Sequence, residues 1–354
     1  MIRKLLNSIV CASLVIVTAM PQRVARGELP AAPAPADDEV VVDAATESVI
    51  QGALRYLAAK QSATGYWCSR THNHHAAITA YVLIAYMSSG NLPTEGEFAK
   101  TVQKGTEFLL SCCRPDGYIA HSSGESNMYG HGIATIALSE LYGQTRDPNV
   151  RPKLQRAVTL IVNCQNAEGG WRYQPRVADA DLSVTVLQVV ALRAAKNSGL
   201  DVPQETIDRA VKYVRACCDR ESGGFRYVPR DMRGPGFART AAAIYSLQVC
   251  GLYEDPMVKN GSKFLFDRFR IRESEWFTYG NFYAAPAQYM IGGETWKKWY
   301  GRVRSTLVAN VKRSGENYYW QPLDADRGVN DIFATAVYTT ILAVPYGYLP
   351  LYQR

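Results

Sequence analysis

One short pattern recurs about every fifty residues along this 354-residue chain: an apolar, helix-like run, then a glycine, then an aromatic residue. Anchors of the apolar runs stand 51 to 53 residues apart, at Tyr56, Phe108, Leu160, Tyr213 and Phe264. The clearest corners are Gly65-Tyr66-Trp67, Gly117-Tyr118, Gly169-Gly170-Trp171 and Gly223-Gly224-Phe225, and a sixth copy ends at Trp320. Such a period is typical of folds in which one supersecondary unit stacks on copies of itself.

A second apolar helix is predicted after each corner. Its residues recur at helical intervals, as in Leu182, Val186, Val189 and Val190, and strand-like alternation is nearly absent. Each repeat is therefore a helical hairpin, and glycine at the corner suits a helix end that needs positive φ. A closed ring of six hairpins leaves no end to cap, so the sequence predicts an all-α fold: a single α/α-toroid, or (α/α)6 barrel. The predicted second helices, which would line the inside, are 76–87, 133–142, 182–194, 240–252, 282–290 and 332–344.

The repeat resembles the QW motif of the squalene cyclase and protein prenyltransferase superfamily (prenyltransferase/squalene oxidase repeats), which runs Gly, aromatic-Leu, Gln, Gly-x-Trp. The first copy matches throughout, from Gly52 through Gln61 to Trp67, and the third matches well, whereas Cys113 and Cys218 replace Gln in copies two and four. The resemblance covers roughly residues 45–354. It implies an α/α-toroid with a central, largely apolar cavity, and it extends to short exported bacterial proteins of this superfamily.

The N-terminus reads as a secretory signal peptide over residues 1–27, with Arg3 and Lys4 before an apolar stretch and Ala25-Arg26-Gly27 at its end. Residues 28–44 are rich in Pro and Ala and predict a disordered linker, followed by the toroid at 45–354. The protein is therefore expected in the periplasm or outside the cell. An uncleaved membrane anchor is the alternative, although the apolar run is short for one.

The formal charge of +7 falls to +3 when the four cationic residues of the leader are removed. A net charge of +3 is too small to indicate nucleic-acid binding, but it would permit the protein to bind peripherally to an anionic membrane. Seven of the eight cysteines follow the leader. They are interpreted as small buried side chains between helices, with one disulfide as the alternative in an exported protein.

The segment Asp179-Ala180-Asp181-Leu182-Ser183 opens the second helix of repeat three. It resembles the Asp-x-Asp-Asp-Thr motif of class II terpene cyclases, whose middle Asp protonates an alkene or epoxide. Such chemistry needs a carboxylic acid kept neutral in an apolar pocket. The resemblance assigns Asp181 as the acid and Asp179 as its neighbour, whereas Leu182 replaces the last carboxylate. The alternative is that Asp181 caps the helix N-terminus, and the two roles are compatible.

Histidines offer a second candidate site. His75 and His131 precede or open second helices, whose starts converge on one rim of a toroid, so they could approach Asp181. Two imidazoles and a carboxylate would suit zinc, the one cofactor considered; none is otherwise predicted. The other functions considered for His131 are a general acid or base and an anion binder. His72 and His74 are interpreted as exposed loop residues.

An eight-residue pattern is duplicated, from Gly169 to Arg176 and from Gly223 to Arg230. Arg172 and Arg226, beside Tyr173 and Tyr227, could clamp a phosphate or carboxylate group. Alternatively, each Arg stacks on an aromatic ring and bonds helix-end carbonyls. Two further candidates lie in the last third: Tyr283, among many aromatic residues, and Asp331, at the start of the last inner helix.

These features leave three functions open. The first is a cyclase-like enzyme of the isomerase or lyase type, acting on an isoprenoid or other apolar lipid with Asp181 as general acid. Leu182, the single domain and the export signal weigh against it. The second is non-catalytic binding of an apolar ligand or peptide. The third is a protein-interaction scaffold, which a centre filled by side chains would favour.

Overall fold

The computed structural model describes residues 40–68, 74–122, 127–269, 276–323 and 330–353, which belong to one compact unit. The predicted signal peptide and most of the predicted linker lie outside these residues, as does His72. A short antiparallel hairpin pairs β1 (Lys312–Ser314) with β2 (Asn317–Tyr319). The helices within the described residues are α1 Ala44–Ala59, α2 His75–Ser88, α3 Ala99–Ser111, α4 Met128–Thr145, α5 Val150–Asn163, α6 Leu182–Asn197, α7 Gln204–Ala216, α8 Phe237–Val249, α9 Pro256–Arg268, α10 Phe277–Ile291, α11 Gly293–Asn310 and α12 Asp331–Ala343.

The even-numbered helices form a closed inner ring. Each packs against the next even-numbered helix, from α2 to α4 and onward to α12, and α12 packs against α2. The odd-numbered helices lie outside and pack against the inner helices. Inner helices are buried almost all round, as expected for helices enclosed by others. The predicted α/α-toroid of six hairpins is confirmed.

The corner glycines have the positive φ that the sequence predicts, with values from 77° to 95° at the first four corners. The corner glycines are also tightly packed, because each corner contacts the next repeat. A Cβ on Gly169, whose φ is +91°, would lie 2.5 Å from the Arg209 carbonyl oxygen in α7. Glycine is required there because the backbone of one repeat rests directly on that of its neighbour.

The glutamine of the repeat connects neighbouring hairpins. Gln165 donates its side-chain amide to the Gly169 carbonyl in its own corner, at 2.9 Å, and to the Thr206 carbonyl in α7, at 2.8 Å. Gln61 makes the equivalent pair of bonds in the first repeat. One side chain therefore satisfies two backbone acceptors and fixes the spacing between successive outer helices.

The corner tryptophans hold each outer helix to its own corner. Trp67, Trp171 and Trp320 are almost fully buried, and each donates its indole N–H to a carbonyl near the end of an outer helix. The acceptor residues are Leu57, Ile161 and Leu307. Burial of so large a side chain is compatible with its polar N–H only because this bond is made.

Two inner helices begin five residues earlier than the sequence pattern predicts: α4 begins at residue 128 and α10 at 277. Asn127 caps α4 by accepting a hydrogen bond from the Gly130 amide at 3.0 Å. In α4 the glycines of the first turn hid this start, because they interrupt the apolar spacing on which the prediction relied. His131 consequently lies one turn inside α4 and does not open it.

The folded unit also begins earlier than predicted. Asp43, assigned to the disordered linker, caps α1 by accepting from the Thr46 amide at 2.8 Å. It also forms an ion pair with Arg304 of α11, and Val42 packs partly buried against the core. The last residues of the predicted linker are therefore part of the toroid.

The C-terminal segment covers the end of the barrel where the inner helices finish. A short 3-10 helix, Pro350–Tyr352, packs against α4, α6 and α10. The Leu351 amide donates to Glu140 at 3.2 Å, and the Tyr245 hydroxyl donates to the Leu351 carbonyl at 3.5 Å. In the part of the chain that the structure describes, no helix combines the length and apolar character needed to cross a bilayer.

Candidate functional site

The first turns of the inner helices surround the opposite end of the barrel, which we call the axial mouth. The inner helices run in the same direction because each is the second helix of its hairpin. The Tyr279 hydroxyl in α10 reaches across to donate to the Ser183 carbonyl in α6 at 3.4 Å. Partly exposed residues in the first turns of the inner helices include the following, which we call the mouth residues: Ala77, Tyr129, Ser183, Arg239, Tyr279 and Phe333.

Aromatic rings fill the barrel below the axial mouth. Tyr81 of α2 makes edge-to-face contacts with Phe282, at 5.1 Å between ring centroids, and with Phe333, at 4.7 Å. Tyr283, a predicted ligand residue, is fully buried and contacts the Tyr279 ring at 5.1 Å. A molecule held at the mouth would therefore rest on an aromatic floor, and Tyr283 would lie beneath that floor.

Asp181 lies at the edge of this mouth as the N-cap of α6. Its Oδ1 accepts from the Val184 amide at 2.9 Å, which confirms the capping interpretation. The side chain is fully buried, and its Oδ2 has no hydrogen-bond partner among the described residues. Burial raises the pKa of the Asp181 carboxyl, and the Val184 amide, the Tyr227 hydroxyl and the Arg172 guanidinium oppose this with smaller effects. The capping aspartate is thus also an acid biased toward its neutral form.

Arg172 and two tyrosines connect Asp181 to the surface. Arg172 pairs with exposed Asp179 at 2.6 Å, lies 3.9 Å from Asp181 Oδ2, and stacks on the Tyr173 ring. The Tyr173 and Tyr227 hydroxyls are 2.5 Å apart, which joins the two copies of the duplicated pattern. The structure therefore brings five of the predicted residues together. Two carboxylates, those of Asp179 and Asp181, already face Arg172. They largely neutralise its positive charge, so little of that charge is left to hold a ligand.

The remaining predicted ligand residues lie elsewhere. Arg226 makes two hydrogen bonds to Asp219 in its own corner, at 3.2 and 2.7 Å, so it does not join Arg172. Asp331, at the first position of α12, accepts from the Tyr56 hydroxyl of α1 at 3.3 Å. These contacts place both residues against outer elements of the toroid.

His131 also faces outward. It is fully buried, its Nδ1 accepts from the Ile119 amide at 3.2 Å, and its Nε2 lies 3.3 Å from the Ala157 carbonyl. Burial lowers the pKa of His131 to about 4, so the ring is neutral at physiological pH. With both nitrogens engaged by the backbone of neighbouring segments, His131 holds the second corner against α5.

The predicted zinc ligands do not converge. His75 packs edge-to-face on Tyr66 and His121, outside the inner ring, whereas Asp181 and His131 occupy the separate sites given above. Among the described residues, no three His, Cys, Asp or Glu side chains lie close enough to hold a metal ion. The helix starts converge on one end of the barrel, but these three side chains do not meet because side chains of the first turn point to different faces of their helices.

The cysteines match the interpretation as packing residues. The seven in the described residues are free thiols, and Cys112, Cys164 and Cys217 are buried. Burial raises the pKa of the Cys113 thiol to about 11 and that of Cys217 to about 12. Thiols with such raised pKa values are poor nucleophiles at neutral pH.

The mouth residues Tyr129, Ser183 and Tyr279 were not among the predicted site residues. Tyr129 contacts Tyr173, at 5.8 Å, and Tyr279, at 6.4 Å between ring centroids. Their position could have identified them, because each is the second or third residue of its inner helix. That position becomes visible only once the helix starts are known.

Comparison with solved structures identifies the same fold in proteins of different activities. The type II terpene cyclase MstE from Scytonema, in complex with geranylgeranyl dihydroxybenzoate, matches with a TM-score of 0.59 at 14% identity, over 86% of this chain and 98% of that chain. The α-1,6-mannanase GH76A of a Salegentibacter species gives a TM-score of 0.64 at 11% identity, over 86% and 99% of the two chains. Cellobiose 2-epimerase from Bacillus thermoamylovorans gives 0.63 at 12%, over 83% and 97%.

At these identities the likeness shows the fold alone, and the α/α-toroid that the resemblance implied is confirmed at that level. A sequence-family model described as "Domain of unknown function (DUF6288)" matches residues 46–228, from the first outer helix into the fourth corner. This match includes Asp181, Arg172 and both tyrosines of the duplicated pattern. Since it spans more than half of the chain, the protein belongs to the DUF6288 family.

Proposed function

We propose that this protein binds an apolar, isoprenoid-like small molecule at its axial mouth and that Asp181 is the proton donor to that molecule. The observation that carries the proposal is Asp181 itself, a fully buried carboxyl with one oxygen hydrogen-bonded and the other without a hydrogen-bond partner among the described residues. Burial raises the pKa of this carboxyl, and a carboxylic acid whose neutral form is favoured can protonate a weak base such as an alkene. The DUF6288 family and the shared fold leave this activity open.

The surroundings of Asp181 suit the proposed chemistry. Transfer of its proton to an alkene carbon would form a C–H bond and leave a carbocation and the Asp181 carboxylate. A second alkene of the same molecule could attack the cation to close a ring. Loss of a proton from a neighbouring carbon to solvent water would then give the neutral isomer or ring product. The faces of Tyr129 and Tyr279 would stabilise that cation. The bonded hydroxyls of Tyr227 and Tyr173, the latter 40% exposed, offer a path for a proton from solvent back to Asp181.

The isoprenoid-like ligand is argued from the aromatic mouth and from one structural neighbour. MstE is a type II terpene cyclase with geranylgeranyl dihydroxybenzoate as its substrate. Non-catalytic binding of the same class of molecule is the second candidate, and it is favoured by Leu182, which stands where the cyclase motif has its last carboxylate. A scaffold for protein partners remains the third, because the barrel interior is filled by side chains.

We also propose that residues 1–27 direct export, so that the protein works in the periplasm or outside the cell. An apolar ligand would then reach the mouth from a membrane to which the protein is peripheral. Zinc is not part of this proposal, because the described residues offer no convergent ligand set.

Asp181→Asn is expected to retain the fold and the bound ligand but to lose turnover by about a hundredfold or more, the contribution of a positioned general acid. Asn also caps helices, so the bond from the Val184 amide can persist. Turnover is measured by mass spectrometry of products from squalene or geranylgeraniol, and binding by quenching of tryptophan fluorescence. Because burial raises the pKa of Asp181, wild-type turnover should decline as pH rises through that raised pKa.

Asp255→Asn is the matched control. Asp255 also caps a helix through its side chain, accepting from the Met257 amide at 2.8 Å, but it does so on outer helix α9. This variant should turn over like the wild type. Full turnover by Asp181→Asn would remove Asp181 as the acid, and binding without turnover in the wild type would establish the non-catalytic alternative.

A further inference from the structure

A second site lies on the outer face of the toroid, between the second and third repeats. It is a cleft of about 700 Å³ whose residues come from three segments: the second corner, outer helix α5 and the end of the first octapeptide copy. This volume is typical of sites for small molecules. It is separate from the axial mouth, since neither Asp181 nor any of the mouth residues lines it.

The cleft is rich in positive charge. Arg114, Arg156 and Arg176 line it, each from a different segment, and Asp116 is its only acidic lining residue. Asp116 is bonded to Arg114 at 2.8 Å. Neither Arg156 nor Arg176 forms an ion pair with a carboxylate among the described residues. Two guanidinium groups that converge on one cavity without a carboxylate between them favour an anionic ligand.

A buried tyrosine lines the same cleft. Tyr118 is only 4% exposed, lines the cleft, and has a hydroxyl with no hydrogen-bond partner among the described residues. Its ring is stacked on His131, at 5.1 Å and 6° between planes, and His131 is itself fixed by backbone bonds at both nitrogens. A buried hydroxyl without a partner is costly unless a ligand supplies one. His131 is therefore a positioning residue for Tyr118.

The backbone at Arg176 is strained. Its φ of +60° falls in the left-handed region, which a side chain such as arginine rarely occupies. The equivalent Arg230 has φ of +67° but does not line the cleft. Strain of this kind persists where surrounding structure imposes it, and at Arg176 it sets the side chain beside the buried Cys164.

We propose that this cleft binds a small molecule through a phosphate or sulfate group, which Arg156, Arg176 and the Tyr118 hydroxyl would hold. Thr159, Asn163 and Gln174 also line the cleft and provide neutral groups that can bond hydroxyls of the same molecule. The ligand class is therefore a hydroxylated small molecule of sugar size with one oxyanion group. Phosphate and sulfate share the relevant chemistry, and the experiment below distinguishes them.

The test is isothermal titration calorimetry of the full chain at fixed ionic strength, with chloride as the background anion. The titrants are inorganic phosphate, inorganic sulfate, glucose 6-phosphate and uncharged glucose. Glucose 6-phosphate or one of the inorganic anions should bind, and glucose should not. Arg176→Ala should weaken that binding about tenfold or more, the loss expected for one charge-assisted hydrogen bond. Tyr118→Phe, which keeps the ring on His131, should weaken it by a smaller factor.

Arg230→Ala is the matched control, because Arg230 has a similar left-handed φ but does not line the cleft. It should leave anion affinity within about twofold of the wild type, and circular dichroism should show both variants folded. The proposal is overturned if the wild type binds none of the anions, if Arg176→Ala binds like the wild type, or if Arg230→Ala is equally impaired. Failure of the axial mouth to bind lipid would not affect these results.

Discussion

Gly169→Ala is expected to reduce the free energy of unfolding by about 4 kcal/mol, within the range seen for the most damaging single substitutions. The new Cβ would lie 2.5 Å from the Arg209 carbonyl oxygen, which belongs to the backbone of α7 and cannot turn aside. The residue would also have to keep φ near +91°, which costs a side-chain-bearing residue about 1–2 kcal/mol on its own. Urea unfolding followed by circular dichroism measures the loss.

Gly251→Ala separates these two causes. Gly251 has a similar φ of +87°, but a Cβ there would meet no atom within 4 Å. Its substitution should therefore cost only the conformational part, about 1 kcal/mol. Equal losses in the two variants would show that the corner glycines matter for φ alone and that the tight contact between repeats does not constrain the ring.

The second large effect concerns Glu140, buried where the C-terminal segment covers the barrel. Burial raises the pKa of its carboxyl from 4.5 to about 8, although the Leu351 amide donates to it. The unfolded chain releases this proton near pH 4.5 while the folded protein retains it to about pH 8. Stability contributed by the neutral acid is therefore fully present below pH 4.5 and is lost as pH rises toward 8.

Glu140→Gln should remove this dependence. Gln stays neutral and can still accept from the Leu351 amide, so the variant should gain stability over the wild type as pH rises from 5 to 9. The gain should be on the order of 4 kcal/mol, from about 1.4 kcal/mol for each unit of pKa shift. Exposed Glu97→Gln is the control and should follow the wild type at both pH values. A constant difference between Glu140→Gln and the wild type would contradict the buried, neutral carboxyl.

The ring of hairpins could be predicted because each corner is a local signal. Glycine with positive φ, a buried tryptophan and a bridging glutamine all lie within about fifteen residues of one another. One short stretch of sequence is therefore enough to predict each corner of the ring. The first residues of the inner helices were harder to predict from the sequence. In α4 the cap Asn127 precedes two glycines, and the apolar spacing does not appear until residue 133.

The axial site was predictable in part. Asp181 was found through its position before an apolar helix, and its cap follows from residue type. Its pKa, in contrast, depends on Tyr227 and Arg172, which reach it from separate segments. The position of His131 was not predicted because its partners, Ile119 of the corner before α4 and Ala157 of α5, become neighbours only in the folded ring.

The outer cleft could not have been predicted. Arg114, Arg156 and Arg176 are exposed and come from separate segments, and each alone resembles any surface arginine. The duplicated pattern drew attention to Arg172 and Arg226 instead, and the structure shows both paired with carboxylates of the protein.

The measurement that tests the axial site most directly is native mass spectrometry of the protein purified from its own cells, with lipid extraction of the same sample. The wild type is compared with Ser183→Trp, which adds a large side chain at the half-buried Ser183 of the mouth. Our account predicts a bound apolar molecule in the wild type, identified as an isoprenoid in the extract, and its loss from Ser183→Trp. A ligand-free wild type, or equal occupancy in both proteins, would contradict binding at the axial mouth.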